Sequence, residues 1–148
     1  MKIPQSILDA LAVHAREELP LEACGILGGT GATVSAWYRM TNAAASATRF
    51  FLDPHEHAEV MRDLRQRNLE TVAFYHSHPA GPSYPSAEDV RLAYYPGVVT
   101  VIISLEDLER PFIEAYLIVD GRIEPVVMEV DKDGKDTGAT RGAGNADN

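Results

Sequence analysis

Residues Thr71–His78 read Thr-Val-Ala-Phe-Tyr-His-Ser-His. Val72, Ala73, Phe74 and Tyr75 are rich in strand formers, so the segment predicts a strand. Side chains two apart on a strand share a face. His76 and His78 can therefore aim both imidazoles at one point, while Ser77 faces away. The stretch Pro79–Pro85 holds three prolines and one glycine and reads as a loop that returns the chain. Ser86 then opens a short helix to about Ala93, with Asp89 on its first turn. Strand, loop and helix start together bring two imidazoles and one carboxylate into one place.

The rest of the chain supplies a frame for that unit. Ile7, Leu8, Leu11, Ala15 and Leu19 recur at helical spacing, so Ser6–Glu18 predicts a helix that Pro20 ends. Glu22–Gly29 is a short apolar run closed by glycines, read as a buried strand and a turn. Thr33–Met40 is a second strand, Thr41–Ser46 a small polar loop, and Arg49–Leu52 a short strand at best. Pro54 opens a second helix to about Asn68, with Val60, Met61, Leu64 and Arg67 marking its packed side. Val98–Leu105 predicts a central strand. Phe112–Val119 and Ile123–Val130 flank Asp120-Gly121, a hairpin turn signal. The fold class is α/β: a single-domain mixed β-sheet flanked by two main helices, plus the short helix after the loop. At 148 residues with 45% hydrophobic content the chain can bury one core. Residues 1–130 form that domain, and the polar stretch 131–148 is expected to be a disordered tail.

Two imidazoles and a carboxylate are a typical catalytic zinc set, leaving the fourth position for water. The same ligands suit other divalent metals, so zinc is favoured by the set rather than dictated by it. An isolated His-x-His on a strand is usually no metal site. Ser86-Ala87-Glu88-Asp89 also fits a helix N-cap pattern. Asp89 cannot easily cap and ligate through the same oxygen. Glu22, alone, would be read as a surface carboxylate near a helix end. The joint spacing of these pieces tips the balance to a metal site.

That spacing resembles the JAMM (MPN-plus) metalloprotease motif. It has His76-Ser77-His78-Pro79, seven residues from His78 to Ser86, then two residues and Asp89. The upstream segment Leu19-Pro20-Leu21-Glu22-Ala23-Cys24-Gly25 is similar to the family's Glu-containing segment. The resemblance runs from about Ile3 to Val130 and implies a cytidine-deaminase-like JAMM/MPN fold. It implies Zn²⁺ held by His76, His78 and Asp89. It also implies Glu22 as the general acid/base and Ser86 as a stabiliser of the reacting oxygen. Within the family the chain resembles small bacterial Mec-type peptidases. The shared features are Pro20-Leu21-Glu22-Ala23-Cys24-Gly25, Tyr84-Pro85-Ser86 after the histidines, and Ile118-Val119-Asp120-Gly121. That likeness implies hydrolysis of a peptide or isopeptide bond at the C-terminus of a ubiquitin-like sulfur-carrier protein, with release of cysteine. The alternatives are a non-catalytic MPN-type binding module, against which the intact motif argues, and a RadC-like DNA-associated protein.

A formal net charge of -9 and the lack of a basic stripe argue against nucleic acid and anionic membrane as partners. The lone Cys24 suits a reducing compartment, no apolar run approaches a membrane span, and a cytoplasmic location is expected. His55 and His57 lie near a helix start, where residues two apart share no face, and are read as exposed. His14 reads as a packing or surface residue, and Cys24 as a small buried hydrophobe. Trp37, Tyr38 and Phe50 read as core or groove residues. Tyr84, in the loop, could touch a substrate tail. Ser77 is expected to steady the strand or a ligand by a hydrogen bond.

Overall fold

The computed structural model describes residues 1–132. Its elements are β1 (Lys2–Pro4), α1 (Gln5–Glu17), β2 (Cys24–Thr30), β3 (Thr33–Met40), α2 (Pro54–Gln66), β4 (Glu70–His78), α3 (Ala87–Arg91), β5 (Val99–Ser104), β6 (Phe112–Val119), β7 (Arg122–Val126) and β8 (Glu129–Asp131). The strands form one mixed sheet in the order β7-β6-β5-β4-β2-β3-β1-β8. β4 and β5 run parallel, as do β1 with β3 and with β8.

β7 and β8 stand at opposite ends of that order, yet Val127 and Met128 alone separate them. Three Cα steps reach at most about 11 Å. The two ends of the sheet must therefore come close, and the sheet curls almost into a barrel. Met1 stitches the gap: its amino group donates to Val127 O at 2.8 Å, and its carbonyl accepts from Glu129 N at 2.8 Å. The single strand expected over Ile123–Val130 is thus two. β7, an edge strand carrying Pro125, pairs with β6, and the chain then crosses to pair with β1. Asp131 pairs with Pro4, so regular structure extends one residue past the expected domain end. The remainder of the expected tail, 133–148, lies outside the described residues.

Each face of the sheet carries one helix. Ile7, Leu8, Leu11 and Ala15 of α1 pack on Leu27, Ala73, Tyr75, Val101 and Ile103. Val60 and Leu64 of α2 pack on Ile26, Ala36, Tyr38 and, more loosely, Phe74. The alternation along β2 and β4 follows the two-residue period of a strand. Met61, expected on the packed side of α2, is exposed, since it lies one position off the Val60–Leu64 stripe. Asp53 caps α2 by accepting from His55 N and Glu56 N, with Pro54 at its start. Helix α2 fits closely on β2 at Gly28, where an added Cβ would meet Leu64 Cδ2 at 2.5 Å. Arg49–Leu52 forms no strand beyond an isolated bridge between Leu52 and Asn42. Among the described residues no helix is long and apolar enough to cross a membrane.

Candidate metal centre

β4 puts His76 and His78 on the sheet face of Phe74 and α2, and turns Ser77 to the other side. Ser77 Oγ accepts from Ala23 N at 2.7 Å, and Ser77 N donates to Ala23 O at 3.0 Å. The strand is thereby fixed to the residue next to Glu22, which is the steadying role the sequence suggested. The loop after His78 lacks backbone donors at its prolines, and three outside donors hold its carbonyls. His78 Nδ1 donates to Pro82 O at 2.7 Å, Ser104 Oγ to Gly81 O at 2.7 Å, and Tyr116 OH to Ser83 O at 2.6 Å. A proton on His78 Nδ1 leaves the Nε2 lone pair free for a metal.

The loop delivers Ser86 to cap α3. Ser86 Oγ accepts from Asp89 N at 3.0 Å, and Ser86 N donates to Asp89 Oδ2 at 2.9 Å. This reciprocal box aims the Asp89 carboxylate back at β4. Asp89 Oδ1 lies 3.2 Å from His76 Nε2, and Oδ2 lies 3.0 Å from His78 Nε2. The two Nε2 atoms are 3.2 Å apart. Donors around a tetrahedral ion with arms of about 2.0–2.1 Å are about 3.3 Å from one another. The spacing of His76, His78 and Asp89 fits such an ion, and Oδ1, with no backbone donor on it, can ligate while Oδ2 caps.

Charge effects agree with a cluster built around shared protons or a cation. Burial lowers the pKa of His76, against Asp89. At His78 burial also acts to lower it, but the bonds to Asp89 and Pro82 outweigh this and raise it. Burial opposes ionisation of Asp89 too, yet the bonds from both histidines hold its carboxyl well below the usual range.

Glu22 lies just before β2 and is 3% exposed. Burial pushes its carboxyl up to about 8; Asp89 and Glu88 add to this and His78 opposes it. Its Oε1 and the Nδ1 of His76 are buried with no hydrogen-bond partner. An orphaned buried carboxylate oxygen, felt electrostatically by His78 and Asp89, is a group that a bound water or ion would satisfy.

A cleft of about 250 Å³ opens beside the cluster, lined among others by Arg49, Phe50, Phe74, His76 and Asp89. Phe50 stacks on His76 with ring centroids 4.6 Å apart, which makes it a groove residue. His57 was expected to be exposed. It is half-buried, edge-on to Phe74, and lines this cleft, whereas His55 is exposed. Tyr84 is exposed and packs edge-on against Tyr116. His14 and Cys24 are buried. Sequence reasoning passed over Asn42, Ser104 and Tyr116, which hold the two loops around the site. Ser104 at the end of β5 carried the weak signal of a polar residue at a strand end, Asn42 lies in a loop and Tyr116 is mid-strand.

The family model for prokaryotic homologs of the JAB domain matches residues 4–116. The chain belongs to that family. The JAMM/MPN resemblance and the single-domain α/β fold read from the sequence are thereby shown. Among known relatives, the CysO-cysteine peptidase of Mycobacterium tuberculosis is 38% identical over 128 residues, 84% of this chain and 88% of the relative. The desampylase of Haloferax volcanii is 37% identical over 103 residues, 65% of this chain and 74% of the relative. The solution structure of a Desulfitobacterium hafniense protein superposes with a TM-score of 0.83 at 32% identity, covering 91% of this chain and 96% of that one. A JAB1/MPN domain protein from Archaeoglobus fulgidus shares the fold, with a TM-score of 0.60 at 22% identity over 88% of this JAB-family chain and 98% of that one.

Proposed function

We propose that this chain is a zinc peptidase that hydrolyses the peptide or isopeptide bond at the C-terminus of a ubiquitin-like sulfur-carrier protein, releasing cysteine where cysteine is the joined residue. The observation that carries this reading is the convergence of His76, His78 and Asp89 donors within 3.0–3.2 Å beside the buried, unpartnered Glu22 oxygen. The kinship with a CysO-cysteine peptidase and a desampylase supports the substrate class. Zinc, when bound by His76, His78 and Asp89, supplies Lewis acidity that polarises a carbonyl and makes water nucleophilic near neutral pH.

The chain's own residues do the rest. Glu22 takes the proton of the attacking water and passes it to the leaving amine. Its raised pKa suits a group that must both accept and donate near neutrality, and a neighbouring cation draws it down toward that range. Ser86 Oγ accepts from Asp89 N, so its own proton remains to be donated to the developing oxyanion. An extended carrier tail would lie along a sheet edge leading to the metal ligands. The free, buried Cys24 fits the reducing cytoplasm in which we place the enzyme.

The test is a sulfur carrier bearing a C-terminal cysteine, incubated with the zinc-restored enzyme and read by intact mass. Wild type should remove one cysteine and Glu22→Ala should remove none. An intact carrier with zinc confirmed bound would overturn the reading.

A further inference from the structure

The cleft beside the cluster has apolar walls, including Phe50, Phe74, Val98 and Ile118. Small-molecule pockets usually start near ~300 Å³. At about 250 Å³ this cleft suits a single amino-acid residue. Arg49 is the arginine among its lining residues, and Glu88 lines it too. The backbone of Arg49 is pinned, because its carbonyl accepts from Asn42 Nδ2 at 3.0 Å. Its Nη2 lies 3.2 Å from Glu88 Oε2, and Glu88 is the neighbour of Asp89. The other oxygen of Glu88 is engaged by Arg91.

We propose that Arg49 recognises a free α-carboxylate on the residue that is released. The enzyme then prefers carriers extended by one amino acid at the C-terminus over carriers joined through an isopeptide bond. This rests on the peptidase reading above. In such a substrate the carboxylate carbon is two bonds from the scissile nitrogen, or about 2.5 Å. A group that reads it must stand within a few ångströms of the metal ligands. Arg49 lines the same cleft as His76 and Asp89, and its chain neighbour Phe50 stacks on His76. A guanidinium fork matches a carboxylate with two parallel hydrogen bonds. The swap is easy, because an ion pair half-open to solvent contributes little and Arg91 stays on Glu88. An isopeptide conjugate places a lysine side chain here, with no carboxylate within reach.

The experiment uses the full chain with zinc restored and one sulfur carrier extended by cysteine in two forms, the free acid and the C-terminal carboxamide. Wild type should cut the acid with a kcat/KM roughly tenfold to hundredfold higher, mostly through KM. Arg49→Gln should bring the ratio near one, and Arg49→Lys should restore part of it, with zinc content and circular dichroism matching wild type. Equal rates on both forms by wild type, or an undiminished preference in Arg49→Gln, would overturn this assignment and leave the peptidase standing. Failure of zinc-loaded wild type to cut either form would overturn the peptidase reading and this inference with it.

Discussion

The side-chain amide of Asn42 donates to the backbone carbonyl of Glu22 across 3.1 Å. The same amide reaches Ser46 O and Arg49 O, and Asn42 Oδ1 accepts from Ala44 N and Phe51 N. Asn42 is 6% exposed, so these partners have little water to turn to. One buried side chain therefore positions both the Glu22 segment and the loop that carries Arg49 and Phe50.

Asn42→Ala should accordingly harm stability and turnover together. Each buried polar group left unpaired costs about 1–3 kcal/mol. The melting temperature should fall by roughly 5–10 °C. Turnover should fall further than zinc content does, because the proposed ligands His76, His78 and Asp89 are on other segments. A variant that melts like wild type would remove Asn42 from this role.

Asp89 and Ser86 share a capping box but should fail differently. Asp89→Ala removes one of the three proposed ligands and should abolish zinc retention, read by elemental analysis after dialysis. Ser86→Ala removes the cap, worth about 0.5–2 kcal/mol, and the oxyanion donor proposed for this position. It should keep zinc while losing about a hundredfold to a thousandfold in kcat. Full zinc occupancy in Asp89→Ala would discard Asp89 as a ligand.

His14 gives a pH signature away from the metal. It is 1% exposed, and its Nδ1 lies 2.7 Å from Tyr75 OH. Burial, helped by Arg39, lowers its pKa to about 3. The unfolded chain takes up that proton near 6.5. Between these values the unfolded state binds more protons, so stability falls as pH drops from 6.5 toward 3. The slope is about 1.4 kcal/mol per pH unit. His14→Gln should flatten the urea-melt stability profile between pH 6 and 4 by about one proton. An unchanged profile would show that His14 is charged in the folded protein.

The sequence announced those parts of the site that depend on local periodicity. His76 and His78 share a face because a strand has a two-residue period, and Ser86 caps because α3 starts there. β3 spans Thr33–Met40, the bounds expected for the second strand. What stayed hidden depends on the curl of the sheet. β1 is three residues long and pairs with β8 through closure of the two edges, which no local pattern encodes. The same closure splits the expected strand at Val127. Asn42, Ser104 and Tyr116 stayed hidden for a related reason: their partners are backbone groups, which every residue carries.

Glu22 separates catalysis from metal binding most cleanly. It is not among the residues whose donor atoms converge, so Glu22→Ala and Glu22→Gln should both keep zinc. Both should lose turnover, since neither can carry the proton. The pH behaviour of the metal-free protein adds an independent check. Burial first, then Asp89 and Glu88, raise the carboxyl from 4.5 to about 8, with His78 opposing. The folded protein thus keeps that proton up to about pH 8, while the unfolded chain loses it near 4.5. Between those values the unfolded state binds fewer protons, so this contribution is present below 4.5 and lost as pH rises to 8. Metal-free Glu22→Gln should therefore gain on wild type from pH 5 to 8, by at most about 1.4 kcal/mol per pH unit. Zinc should shrink that gain, because a divalent charge beside Glu22 favours its carboxylate. Urea melts with and without zinc at both pH values measure it. Normal turnover in Glu22→Gln would take Glu22 out of the mechanism, whatever the melts show.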